Sequence, residues 1–346
     1  MKHVIKASLL SLALLGAGCS GVSSTMNPAI LRDGSNSSDT AALNTQTAVL
    51  LYVRNRNAAS ITGYNANANG NMNPVINITG KSTQLGSHTG LAINSSGRIY
   101  ATNFQNVVEF APGSNGNATP SATISGPNTQ MGNLTDVAVD SSNNIYVSDA
   151  AGYNGQGGQG TIKKYGAGSS GNVSPSAKIT GNKTRLASPS AIVVDSSGKL
   201  YVSNQGVGGQ NVLVFAAGSN GNVQPLATIG GSNTGIALPC AVAVDASKNI
   251  WVTNCGNSAA AILEFSPASN GNVSPIRKIT GPSTRLQSPR GVAIGTDGTV
   301  TVSDTAPASA GELLSFPPRS NGNAIPVRVV TGNQTLLQEP AEIVLH

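Results

Sequence analysis

One short pattern, Gly-Asn-x-x-Pro, begins six times along the chain, at Gly70, Gly116, Gly171, Gly221, Gly271 and Gly322. The intervals are 46, 55, 50, 50 and 51 residues. A second anchor, Gly-x-x-Thr followed two places on by Leu, Met or Ile, begins at Gly80, Gly126, Gly181, Gly231, Gly281 and Gly332. Two anchors recurring together at a period near 50 mark one structural unit used six times, and such units bury their apolar faces against their neighbours.

Each unit reads as four strands. The first, A, is an unbroken apolar triplet, at 91–93, 137–139, 192–194, 242–244 and 292–294, suited to a strand buried on both faces. A polar turn follows, as in Asp195-Ser196-Ser197-Gly198, where Asp can close an Asx turn and Gly supplies the left-handed residue. Lys248 takes that glycine's place in one copy, at a cost of about 1 kcal/mol unless relieved locally. Strand B covers 99–103, 145–149, 200–204, 250–254 and 300–304. Strand C ends at an aromatic: Tyr64, Phe110, Tyr165, Phe215, Phe265 and Phe316. Ser-Asn-Gly-Asn or a close variant then predicts a tight hairpin with both central residues at positive φ. The following proline opens strand D, which reads as an exposed edge because proline cannot donate to a ladder.

Four-stranded antiparallel units repeated radially predict an all-β fold, a six-bladed β-propeller. The chain enters at 48–53 as a B strand lacking its A, and leaves at 341–345 as an A strand lacking its B. Three N-terminal strands and one C-terminal strand therefore close the ring. Pairing Pro340 with Arg290 sets the expected register of that last strand. The runs Val137 to Asp149 and Val193 to Asn204 resemble the NHL repeat of six-bladed propellers, a likeness that extends over 48–346. It implies fold more than function.

Composition agrees with this reading. Forty-one glycines and 18 prolines beside only 10% charged residues would suit a disordered chain, but disorder usually carries high net charge, and here it is +6 with 39% hydrophobic residues. There is no dense Lys/Arg cluster, and one Trp, five Phe and seven Tyr leave little to stack on bases, so nucleic acid is not an expected partner.

The first six residues, with Lys2 and Lys6, precede an apolar run from Ala7 to Ala17, too short to span a bilayer and of signal-peptide size. The segment Leu15-Gly16-Ala17-Gly18-Cys19-Ser20 resembles the bacterial lipobox, with Gly16 where that family usually has Leu. The resemblance implies cleavage after residue 18, lipidation of Cys19 and a membrane anchor; Ser20 at the next position favours the outer membrane of the cell envelope. Ordinary cleavage near Gly18 is the alternative. The expected organisation is a signal over 1–18, the lipidated Cys19 and a polar tether over 19–47, and the propeller over 48–346. A monomer is expected.

The B strands end in Asn55, Asn103, Asp149, Asn204, Asn254 and Asp304. Polar in every blade, this position suits a repeated structural task, the acceptance of backbone N–H bonds where B turns into the B–C loop, better than a cation site. Residues that break the repeat are the better guide to a site. Arg54 stands where other blades have Ser or Thr, Arg290 where they have small residues, and Asp136 where they have Gly or Ala. Arg185 and Arg285 lie in the Thr-x-Leu loops, and Tyr153 in the longest B–C loop, which is glycine-rich but lacks the ending of a phosphate loop. Together they suggest a mildly cationic mouth, formed by D–A and B–C loops, for a protein or glycan partner. The alternative is a solvated rim with an Arg54–Asp136 or Arg290–Asp304 pair.

Cys240 opens an A strand and Cys255 follows the B strand of the same blade, so folding the hairpin sets them opposite each other. In an exported protein this predicts a disulfide, two buried thiols being the alternative.

Propeller enzymes such as metal-dependent lactonases and streptogramin lyases imply carboxylate clusters or paired His and Glu around the central channel. Of the three histidines only His88 falls near the mouth, and Glu109, Glu264 and Glu312 fall in strand C. No cofactor, metal ligand set or catalytic residue is expected. The favoured function is a non-catalytic, lipid-anchored binding module; a lactonase- or lyase-like enzyme and an envelope protein without a ligand are the alternatives.

Overall fold

A computed structural model describes residues 49–150, 159–206, 210–256, 259–305 and 311–346. The signal, tether, Cys19 and Tyr153 lie outside these. Among the described residues twenty-four strands form six four-stranded antiparallel sheets. The first blade holds β1 (Leu50–Asn55), β2 (Ser60–Asn65) and β3 (Ile76–Ile78), with β24 (Pro340–Leu345) as its innermost strand. The second holds β4 (Leu91–Ile93), β5 (Ile99–Asn103), β6 (Asn106–Phe110) and β7 (Ala122–Ile124). The third holds β8 (Leu134–Val139), β9 (Ile145–Asp149), β10 (Thr161–Tyr165) and β11 (Ala177–Ile179). The fourth runs β12 (Pro189–Val194), β13 (Leu200–Asn204), β14 (Asn211–Phe215) and β15 (Ala227–Gly230). The fifth runs β16 (Pro239–Val244), β17 (Ile250–Asn254), β18 (Ala261–Phe265) and β19 (Arg277–Ile279). The sixth runs β20 (Pro289–Ile294), β21 (Val300–Asp304), β22 (Glu312–Phe316) and β23 (Arg328–Val330). The inner strands β24, β4, β8, β12, β16 and β20 touch in that order around a central channel, and β20 meets β24 to close the ring. The six-bladed all-β fold and its closure by three N-terminal strands and one C-terminal strand are as the sequence predicts.

The core is six inter-blade sandwiches rather than one centre. Each contains a strand-C aromatic: Phe110, Tyr165, Phe215, Phe265, Phe316 or Tyr64. Both blade faces are thus covered, which is why so few charges suffice. Tyr165 also donates from its hydroxyl to the Thr129 carbonyl of the preceding blade at 2.5 Å, and Tyr64 does so to that of Thr335.

The two repeat anchors prove to be one device. Each Ser-Asn-Gly-Asn loop grips the blade before it. Gly116 donates to the Asn77 carbonyl and accepts from Thr79 N–H, while Asn115 and Asn117 side chains accept from Asn77 and Ser82 N–H groups at 2.8 Å. Closure uses the same clamp, with Asn69 and Asn71 accepting from Val329 and Gln334. The expected tight hairpin is corrected accordingly. Only the glycine takes positive φ, as at Gly116 (64°), and the asparagines are spent across the interface. Strand D, three or four residues long, is not a bare edge, since its third residue bridges the next blade's glycine, as Ile78 does Gly116. The other anchor is a tight turn, 3₁₀ in five of the six copies, whose threonine donates to the glycine's carbonyl, as Thr83 does to Gly80.

In the turn between A and B, the Asp195 carboxylate accepts from Ser197 and Lys199 N–H groups, the expected Asx geometry. Lys248 adopts φ 68° there, beside an ion pair with Asp195 at 3.7 Å.

Candidate functional site

The inner strands carry successive residues past the channel, so their register decides what meets there. Pro289 pairs with Asp304 and Val292 with Val302, while Pro340 pairs with Asn55 and Ile343 with Val53. Pro340 therefore matches Pro289, not Arg290, which corrects the expected register by one place. The outer ring becomes Thr89, Thr135, Ser190, Cys240, Arg290 and Ala341, and all six line a depression of about 190 Å³ at the mouth, with Arg56, Gln205 and Glu342. The next ring inward is Gly90, Asp136, Ala191, Ala241, Gly291 and Glu342. Asp136 is thus matched by a second acid, Glu342, that the slipped register conceals.

Asp136 is only 4% exposed. Its Oδ2 accepts from Ile192 N–H of the next blade at 2.9 Å, while its Oδ1 is buried without a partner. Burial pushes its carboxyl up to about 7, against the N–H groups of Ile192, Val137 and Leu91, which favour the carboxylate. The half-buried Glu342 is raised well above the usual carboxylate range by burial first and by Asp136 second. Both line the same channel cavity of about 250 Å³. Two carboxyls in so little solvent cannot both ionise cheaply, so the pair retains a proton near neutral pH. Glycine precedes each acid around the ring for a steric reason. A Cβ on Gly90 would lie 2.8 Å from Asp136 Cα, and one on Gly291 would lie 3.1 Å from Glu342 Cα.

Above the acids stand Arg290 and Arg56. Each has a buried Nε without a partner. Arg56 reaches Glu339 at 3.5 Å. Burial lowers Arg290, as does the neighbouring charge of Arg56, whereas Glu339 and Asp304 partly offset this. Elsewhere in the outer ring hydroxyls hand on to the next blade: Thr89 to Thr135, Thr135 to Pro189 and Ser190 to Pro239 carbonyls, at 2.6–2.8 Å. Arg290 and Ala341 interrupt that chain, as does Cys240, whose disulfide to Cys255 spans a Cα separation of 5.8 Å.

Arg54 does not reach the mouth. It is fully buried and donates to the carbonyls of Ser60 (3.1 Å) and Gly86 (2.5 Å), stapling the first blade to the second, with its guanidinium lowered to about 10 by burial. It makes no pair with Asp136. Nor does Arg290 form an ion pair with Asp304, whose carboxylate accepts from Gln287 and Ser288 N–H groups. Arg285 is exposed and bound to Glu312 at 2.5 Å. Arg185 lies on a separate groove with Gln224, Leu226 and Asn270. Neither joins the depression.

The polar residues ending the B strands do structural work, but toward the D–A loop of their own blade. Asn204 accepts from Ala187 and donates to Arg185, and Asn254 does the same with Ala237 and Gly235. In the third blade Asp149 also takes a buried ion pair with Lys163. The strand-C glutamates are engaged likewise, Glu109 with Arg98 and Glu264 with Arg277. His88, half-buried and lowered chiefly by burial, packs its ring 5.5 Å from that of Phe104, which is 47% exposed. Among the described residues no three His, Cys, Asp or Glu side chains come together as a metal site. The arrangement offers two arginines for an anion above a pair of carboxyls that can accept a cation or exchange a proton.

No protein-family model matches the chain, and no curated protein matches it. Solved structures do. A protein of unknown function from Bacteroides caccae is similar at 12% identity, TM-score 0.62, over 86% of this chain and 99% of that one. The WD40 β-propeller domain of Doa1 is similar at 12% identity and TM-score 0.50, over 82% and 86%. A chain of the mitotic checkpoint complex is similar at 12% identity and TM-score 0.51, over 83% and 75%. At such identity these likenesses bear on the fold alone.

Proposed function

We propose that the protein is a lipid-anchored, NHL-like propeller of the bacterial cell envelope, which binds a partner on its D–A and B–C loop face without catalysing a reaction. The observation that carries this is the pair of guanidinium groups, Arg56 and Arg290, each with an unpartnered buried Nε at the mouth depression. Two like charges kept together without full compensation favour an anionic group arriving from outside. A WD40 domain and a checkpoint-complex chain share the architecture, and propellers offer such faces to partners. The lipobox-like residues around Cys19 support the anchor.

Capture from detergent-solubilised envelope tests the binding face. The full-length protein and an Arg285→Ala variant retain a partner that Arg290→Ala loses; equal capture by all three contradicts the proposal. Metabolic labelling with a fatty acid tests the anchor, the label being absent in Cys19→Ser. One observation favours the enzyme alternative, the proton-holding pair of Asp136 and Glu342. Hydrolysis or elimination on a lactone that vanished in Asp136→Ala would establish it and end the non-catalytic reading.

A further inference from the structure

We infer that the mouth depression and the channel beneath it form one binding site for a short zwitterion, its anionic end against Arg56 and Arg290 and its ammonium on the oxygens of Glu342 and Asp136. The inference rests on the proposed binding face and names the chemistry of what enters it.

Four observations converge. Glu342 lines both the mouth depression and the channel cavity, so the two spaces share a wall. The rim holds two arginines whose Nε atoms lack partners, and the interior holds Asp136 Oδ1, buried and likewise unpartnered. No ion pair joins the rim cations to the interior acids; Arg56 pairs instead with Glu339, on the D–A loop. Finally, Glu342 and Asp136 line one channel cavity whose remaining lining is apolar, with no arginine in it. Opposite charges are therefore stacked in one depression and left apart, and a dipolar ligand satisfies both sets at once.

The competing occupants fit less well. A simple anion would meet the carboxyls below the rim. A divalent cation would have to pass two arginines, and Ca²⁺ asks for six to eight oxygens, whereas Asp136 already spends Oδ2 on Ile192. An ammonium has three donors and needs only a few acceptors. Successive strand positions are about 3.3 Å apart, and Arg290 stands one position from the level of Glu342, so a chain of a few methylenes bridges the two levels.

Isothermal titration of the full-length protein in detergent tests this with glycine, β-alanine, γ-aminobutyrate and ε-aminocaproate, and with butyrate, butylamine and Ca²⁺ as single-charge probes. The expected result is binding of the ω-amino acids with an optimum at one length. Butyrate and butylamine should bind at least about tenfold more weakly, and Glu342→Gln and Arg290→Ala should each lose at least about tenfold, or about 1.4 kcal/mol. Arg285→Ala should leave the affinity unchanged. Absence of heat with every zwitterion, butyrate binding as tightly as γ-aminobutyrate, or Ca²⁺ binding that no zwitterion displaces would each overturn the inference. The length series and single-charge probes need no variant, so misfolding cannot mimic either outcome. Partner capture that depends on Arg290 while no zwitterion binds overturns this inference and leaves the binding face standing; loss of that dependence removes the binding face itself.

Discussion

Asp136 and Glu342 occupy the same position on the inner strands of two blades, and the charge of Asp136 adds to burial in disfavouring that of Glu342. The four remaining blades place Gly90, Ala191, Ala241 and Gly291 there, so the two carboxyls face a cavity of about 250 Å³. A residue pair of this kind breaks the six-fold repeat at one level of the channel, directly beneath the arginines that break it at the mouth.

The pair makes stability depend on pH with a definite sign. Asp136 is raised to about 7 in the folded chain, and Glu342 is raised also. The folded state therefore binds more protons than the unfolded one above about pH 4. The associated stability is fully present below that pH and is lost as pH rises through about 7. Asp304, raised to about 6 by burial, adds in the same sense. Asp140, Asp195 and Asp297 are lowered in their turns, so their contribution is lost instead as pH falls below about 4. Urea denaturation across pH 5–8 should show the decline, and Asp136→Asn should flatten it and stabilise the protein by on the order of 1–3 kcal/mol at pH 8.

Gly80 has φ 119°, a conformation nearly confined to glycine, and its missing Cβ leaves the space that the Asn117 amide occupies. Gly80→Ala should destabilise by about 2–4 kcal/mol and Asn117→Ala by about 1 kcal/mol. In a double-mutant cycle the pair should cost less than the sum, because removing Asn117 removes the collision. Additive losses would contradict the clamp as described.

Much of this was legible in the chain itself, and the failures have physical causes. Six copies of two anchors carry the blade count, since each anchor marks a backbone shape that few residues can adopt. Where the asparagines point was not legible, because a hairpin tip and an inter-blade clamp ask for the same Asn-Gly. The channel pair was hidden by one slipped position. Leu286-Gln287-Ser288-Pro289-Arg290-Gly291 and Leu337-Gln338-Glu339-Pro340-Ala341-Glu342 align on their prolines, and that alignment alone sets Glu342 at the level of Asp136 in the channel. Arg54 stood out correctly as an exception among Ser and Thr, yet an exception inside a B strand faces a blade interface, not solvent.

Arg54→Ala should accordingly act on the fold. It strands the carbonyls of Ser60 and Gly86 and leaves a void, at a cost of about 2–4 kcal/mol. Thermal unfolding would register the loss, while the folded fraction should still capture the envelope partner as well as the parent protein does.

Removing the Cys240–Cys255 bridge should cost up to about 3 kcal/mol for a loop of this size. Paired Cys240→Ser and Cys255→Ser substitutions, or reductant added to the parent protein, should shift the urea midpoint by the same amount. A midpoint indifferent to reductant would show that the bridge contributes nothing to stability.

The carboxyl pair in the channel is the claim on which the site depends, and its most direct test is a ¹³C NMR titration of the Asp136 and Glu342 side-chain carboxyl carbons. Both should titrate well above the usual carboxylate range, Asp136 near 7, and Asp136→Asn should bring Glu342 down, since it removes the neighbouring charge. Two independent titrations near 4, each unmoved by substitution of the other residue, would contradict the account.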